Sequence, residues 1–167
     1  MALIIDGYNL LHATNILGRG GGPGAFERSR TALLNVLAQS IPPEEIPRTT
    51  IVFDAKDPPW GLARQIVHQG ITVHFASKHE DADSLIEELI LADSAPKRLT
   101  VVSSDHRLHH AAKRRKATPV DSDRWFAELM RNRKIDREVV AGEPPAKPEG
   151  PYTSGEIEFW LREFGEQ

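Results

Sequence analysis

The pattern that most constrains this chain is an alternation of short apolar runs with apolar stripes at helical spacing. Leu3-Ile4-Ile5, "TTIVF" at 49–53, "ITVHF" at 71–75, "LTVV" at 99–102 and a weaker "ATPV" at 117–120 form the apolar series. Most are short and continuous, as strands covered on both faces are. Between them Phe26, Arg30, Leu33, Leu34 and Leu37 recur at helical spacing up to Pro42-Pro43, and Leu85, Ile86, Leu89 and Ile90 follow "EDAD". Leu108, Ala111 and Ala112 follow "SSDH", and Trp125, Phe126, Leu129 and Met130 follow Ser122. Strands alternating with helices predict a three-layer α/β domain, a central parallel sheet with helices on both faces.

The 167 residues suffice for one such domain and an appendage. The domain is expected over 1–138. The Pro/Gly-rich "AGEPPAKPEGP" predicts a linker over 139–152. Beyond it Thr153 and Glu156 have capping-box spacing, and Ile157, Trp160, Leu161 and Phe164 share one helical face, so 153–167 reads as a tethered amphipathic helix. That helix is too short to be stable alone in water and is expected to dock on its own domain or on a second copy.

Composition removes several function classes. The chain has no cysteine, which excludes disulfides, thiolate metal sites and cysteine nucleophiles. The apolar start, Ala2 to Ile5, is too short for a signal peptide and no long uncharged apolar segment follows, so a soluble, cytoplasmic protein with no membrane partner is expected. A net charge of −3 confines any nucleic-acid contact to a local basic patch.

The acidic residues cluster where the apolar runs stop. Asp6 ends the first run, Asp54 ends "TIVF", Asp83 opens the helix after "ITVHF", and Asp105 follows "VVSS". In a parallel sheet these positions share the carboxyl edge, and if the first run neighbours "LTVV", Asp6 and Asp105 face each other across the switch-point crevice. Asp83 and Glu87 occupy one stripe of their helix. Each aspartate alone reads equally as a turn residue or helix cap. Together, carboxylates converging in a crevice require protonation or a cation, and oxygen-only donors select a hard ion, Mg²⁺ or Mn²⁺, suited to phosphodiester hydrolysis. Asn9 is placed to orient a carboxylate or a water.

"IIDGYNLLHA" (4–13), "IVFDA" (51–55), "ADSLIEELI" (82–90) and "VVSSDHRL" (101–108) resemble, in order, the motifs of the NYN-domain nucleases, in particular the YacP-like branch, over about residues 3–133. The resemblance implies a PIN-like domain with a parallel sheet and an acidic, metal-dependent ribonuclease site. It implies Asp6 as the first-strand acid with Asn9 as its companion, Asp54 as the second-strand acid, Asp83 in the Ala-Asp-x-x-Ile element and Asp105 in the Ser-Asp element. The expected metal ligands are Asp6, Asp83 and Asp105, with Asn9 and Asp54 catalytic beside them; Glu80 and Asp81 either join the site or are solvated.

The activity expected is an endoribonuclease with RNA as partner, a ribosomal context among the options. The alternatives are a non-catalytic RNA-binding or ribosome-associated module of the same fold, and a structure-specific DNA nuclease of the PIN-like type. For the nucleic-acid backbone the candidates are Arg19 in "GRGGGPG" (18–24), which lacks the Gly-Lys-Ser/Thr ending of a nucleotide loop, and Arg107 with "KRRK", Lys113, Arg114, Arg115 and Lys116, on one helix. Each has a plain alternative, a flexible connector or a solvated face. His106, His109 and His110 read as surface or RNA-contacting residues, and no nucleophile elbow is present.

Overall fold

The computed structural model describes residues 1–14, 16, 24–54, 64–76 and 81–142, with side chains through 135 in the last stretch. Each apolar run becomes a strand: β1 (Ala2–Asp6), β2 (Thr49–Asp54), β4 (Ile71–Ala76), β5 (Leu99–Val102) and β6 (Thr118–Val120). A further strand, β3 (Gln65–His68), precedes β4. The helices are α1 (Gly7–Ala13), α2 (Ala25–Ala38), α3 (Ala82–Ala92), α4 (His106–Arg114) and α5 (Ser122–Gly142).

The six strands lie in the order β3-β4-β2-β1-β5-β6. β1 pairs in parallel with β2 on one side and β5 on the other, so the strand order reverses at β1/β5 and the switch point falls where the sequence places it. β3 corrects the expected all-parallel sheet. It runs antiparallel along β4, joined by the two-residue turn Gln69-Gly70, both at positive φ (47° and 89°). The fold is nonetheless the expected PIN-like α/β architecture, with one antiparallel edge strand added.

Continuous apolar strands are explained by two cores. Ile5, Ile51, Phe53 and Val73 face α1, α2 and the Trp125–Met130 part of α5. Ile4, Val52 and Val101 face the other way, onto Ile86 and Ile90 of α3 and Leu108 of α4. Alternate residues of one strand thus fill opposite layers, and each such side chain taken from water contributes about 1.5–3 kcal/mol. The exception on the apolar stripe of α2 is Arg30, which is buried among these groups.

The chain divides into two units, Met1–Arg133 and Lys134–Gln167, and the boundary falls within α5. That helix continues to Gly142, four residues into the stretch expected to be linker. The remainder of the linker and the amphipathic helix of 153–167 lie outside the described residues, as do Arg19 and Glu80.

A candidate acidic site at the switch point

Asp6 closes β1 and caps the helix that follows. Its Oδ1 accepts from the backbone N–H of Asn9 at 3.1 Å, the N-cap geometry that lets α1 start at once after the strand. The glycine between them has a packing reason. A Cβ on Gly7 would lie 2.4 Å from the Phe53 ring, which is fully buried, so the turn at this strand end closes only without a side chain. The cap and site readings of Asp6 are compatible because its second oxygen points elsewhere: Oδ2 accepts from the Ser103 hydroxyl at 3.0 Å.

Ser103 belongs to the loop after β5 and joins the two edges. It is fully buried, gives its proton to Asp6, accepts from the Asp105 N–H at 3.1 Å, and its own N–H donates to the Val120 carbonyl. Asn9 makes a second tie across the crevice, its Oδ1 accepting from the Ser104 N–H at 3.0 Å. Ser104 Oγ accepts in turn from the Ser122 N–H at the start of α5. Asp105 caps α4 through the Arg107 N–H at 2.6 Å.

The electrostatics follow from this crowding. Burial pushes the Asp6 carboxyl above its usual range, the Asn9 and Ser103 hydrogen bonds pull against it, and the negative charge of Asp105 raises it further. Asp83, in the first turn of α3, is raised by burial and then by the charges of Asp105 and Asp6, with Arg107 opposing. Asp6, Asp83 and Asp105 therefore sense one another, as their placement along one edge requires. Among the described residues no three Asp, Glu or His side chains are close enough to wrap one ion between them. Asp54 ends β2 in register with Ala76 and lies along the same carboxyl edge.

α3 is capped by Asp81, whose Oδ1 accepts from the Ser84 N–H at 2.6 Å, and Asp83 follows as the second residue of the helix, in its first turn. Hydrogen bonds from Ser84, its hydroxyl first and its backbone N–H second, hold the exposed Asp81 carboxyl below its usual range more than any charge does.

Arg107, expected from the sequence to contact a nucleic-acid backbone, lies beside α3. Its guanidinium turns toward α3, not outward: Nε and Nη2 each stand 3.2 Å from a Glu87 oxygen, Nη2 is 3.2 Å from Ser84 Oγ, and Nη1 lies 3.5 Å from Asp81 and 3.9 Å from Asp83. The Glu87 hydrogen bond raises its already high pKa, so it is a permanent cation at the acidic edge.

The basic cluster also divides. α4 ends at Arg114, and Lys116 takes a left-handed conformation (φ 64°) so that Ala117 N–H can reach the Ala112 carbonyl. Arg115 turns inward, Nη2 donating to the Asp93 carbonyl at the end of α3, with its Nε buried and without a hydrogen-bond partner. Lys113, Arg114 and Lys116 are exposed. His109 faces the Ser103 carbonyl and lies 3.7 Å from Asp121.

A family model described as the YacP-like NYN domain matches residues 3–150, further than the 133 expected from the motifs. The chain is similar to the crystal structure of Rae1 (YacP) from Bacillus subtilis at 26% identity and a TM-score of 0.66, over 99% of this chain and 92% of that one. A mutant form of the same protein matches at 24% identity and a TM-score of 0.65, over 87% of this chain and 86% of that one. Among curated proteins, none matches. No helix among the described residues is long and apolar enough to cross a membrane.

Proposed function

The chain belongs to the YacP-like NYN family of nuclease-like domains, and from that premise we propose that it is a metal-dependent endoribonuclease acting at the β1/β5 switch point. The observation that carries the reading is the mutual repulsion of Asp6, Asp83 and Asp105. Asp6 is pushed toward protonation by burial and by Asp105, and Asp83 by burial and then by Asp105 and Asp6, a cost that a bound cation relieves.

The donor set suits such a cation. It is oxygen-only, Asp6 and Asp105 each commit one oxygen to a helix cap and Asp6 Oδ2 also accepts from Ser103, so an ion among them would find few open carboxylate positions and would keep much of its water. This is the habit of Mg²⁺ or Mn²⁺ and not of an ion caged by protein. When bound, the ion would supply an acidified water and neutralise charge developing on the phosphate. Ser103 and Asn9 fix the orientation of Asp6 and of the loop carrying Asp105. Asp54, at the end of the neighbouring strand β2, would orient the attacking water. Lys113, Arg114 and Lys116 would hold the backbone of the RNA.

One observation favours a second reading, a non-catalytic RNA-binding module. Arg107 already lies among Asp81, Asp83 and Glu87 as an internal counter-charge. The two readings separate on incubating purified protein with single-stranded RNA and DNA of one sequence in Mg²⁺, Mn²⁺ or chelator. The nuclease predicts internal RNA cleavage that chelator stops; binding without cleavage in either metal supports the module.

A further inference from the structure

A ladder of aromatic rings runs from the surface into the core beside Asp6. Phe26, in the first turn of α2, is 43% exposed and so offers part of its ring to solvent. Its ring centroid is 5.0 Å from that of Tyr8, itself two residues beyond Asp6, and Tyr8 meets Phe53 edge-on at 5.9 Å. Phe53 stacks on Phe75 at 6.2 Å.

On this ladder lies Arg30, one helical turn past Phe26 and on the same face of α2. Its guanidinium carbon is 5.9 Å from the Phe53 centroid and 5.1 Å from that of Phe75, and the residue is only 8% exposed. Ring faces attract the cation but satisfy none of its five N–H donors. Among the described residues no carboxylate, carbonyl or hydroxyl takes a hydrogen bond from it. Its nitrogens are not sealed off, since the buried side-chain atoms without a partner among the described residues are Arg115 Nε and Ser122 Oγ, and a cation held against ring faces with donors still open to the surface suits a planar or tetrahedral oxyanion brought from outside.

We propose that Phe26, Tyr8 and Arg30 form a subsite for single-stranded RNA, in which a base stacks on the Phe26/Tyr8 shelf and its phosphate is taken by Arg30. The proposal rests on the nuclease reading and deepens it. The shelf begins two residues from Asp6, so a nucleotide held there sets the register of the next phosphodiester against the acidic edge. A duplex keeps its bases stacked inside and offers nothing to the shelf, which selects single strands.

The test is fluorescence anisotropy with a labelled single-stranded oligoribonucleotide and its duplex, in Ca²⁺ and in EDTA, for the parent protein, Phe26→Ala and Arg30→Gln. Phe26→Ala changes an exposed side chain and is expected to weaken single-strand binding about tenfold with the salt slope and duplex binding unchanged. Arg30→Gln is expected to flatten the log-log salt slope by about 0.7, one lost phosphate contact. Should Arg30→Gln fail to fold by circular dichroism, Phe26→Ala decides. Single-strand binding by Phe26→Ala equal to the parent's overturns the subsite, and if both proteins still cleave RNA the nuclease reading survives it. A parent protein that neither binds nor cleaves RNA overturns both.

Discussion

The Ser103 hydroxyl donates to Asp6 Oδ2 at 3.0 Å and so ties the ends of β1 and β5 together across the switch point. The same oxygen accepts from the Asp105 N–H, so one buried side chain sets the positions of two of the acids. Ser103→Ala should leave the part-buried Asp105 amide and the buried Asp6 carboxylate each short of a partner. The expected loss is about 1–3 kcal/mol of unfolding free energy, read by urea denaturation. Because the lost bond is one that holds the Asp6 pKa down, the acid limb of any pH-rate profile should move to higher pH.

Gly7 allows the turn after Asp6. Gly7→Ala places a methyl 2.4 Å from a fully buried phenylalanine that is itself stacked on Phe75, so the ring has nowhere to go. A loss of about 1–3 kcal/mol is expected from overpacking, visible as a lower melting temperature. An unchanged melting temperature would mean that α1 shifts freely, which its cap on Asp6 argues against.

Asp6 should weaken the fold at neutral pH. Its folded pKa is raised above the unfolded value, so the folded state binds the proton more readily and stability falls as pH rises through the window from the ordinary carboxylate value of 3.8 up to the folded pKa. Above that window the full penalty of the buried charge is present. Asp6→Asn should therefore melt higher than the parent near neutrality, with the difference shrinking on acidification. Thermal melts across pH check this, and a variant less stable than the parent at pH 7 would show that the carboxylate's hydrogen bonds outweigh its burial.

Arg107→Gln removes the guanidinium from the acidic edge, leaving Asp81, Asp83 and Glu87 without it. The salt bridges are exposed and screened, so the fold should survive. The Asp83 pKa should rise further, and Mg²⁺ should raise the melting temperature of the variant more than that of the parent, since the competing internal cation is gone. Equal shifts would mean that the guanidinium and the ion do not share these carboxylates.

The basic cluster should split by function. Replacing Lys113, Arg114 and Lys116 with Gln should flatten the salt dependence of RNA binding by about 0.7 per lost contact. Replacing Arg115 should instead lower stability, because it loses the bond to the Asp93 carbonyl at the end of α3. Lys116→Gly should raise stability by about 1 kcal/mol, since glycine accepts the left-handed conformation without strain.

What could be read from the sequence follows from what is local. Apolar runs covered on both faces, and acids where they stop, gave the switch point between β1 and β5 because burial and strand ends are one-dimensional signals. β3 escaped because Gln69-Gly70 lacks the Asn-Gly or Asp-Gly of a strong hairpin turn, and "QIVH" carries too little apolar pattern for an edge strand. Asp81 could have been identified as the cap of α3 from its spacing to Ser84, three residues on. The inward turn of Arg107 could not, since its partners are on another helix, twenty residues earlier in the case of Glu87. Nor could the role of Ser103, which depends on a strand neighbour 97 residues away. Arg30 on an apolar stripe was a signal in plain view, a charge placed where the pattern demands burial.

The assignment of Asp6, Asp83 and Asp105 is tested most directly by single-turnover cleavage of an end-labelled single-stranded RNA by the parent and by Asp6→Asn, Asp83→Asn and Asp105→Asn, each checked for folding by circular dichroism. The prediction is internal cleavage by the parent in Mg²⁺ or Mn²⁺, none in EDTA, and losses of at least about a hundredfold in each folded variant. Cleavage that persists in EDTA, or at the parent rate in all three variants, would contradict the assignment of these carboxylates to a metal-dependent site.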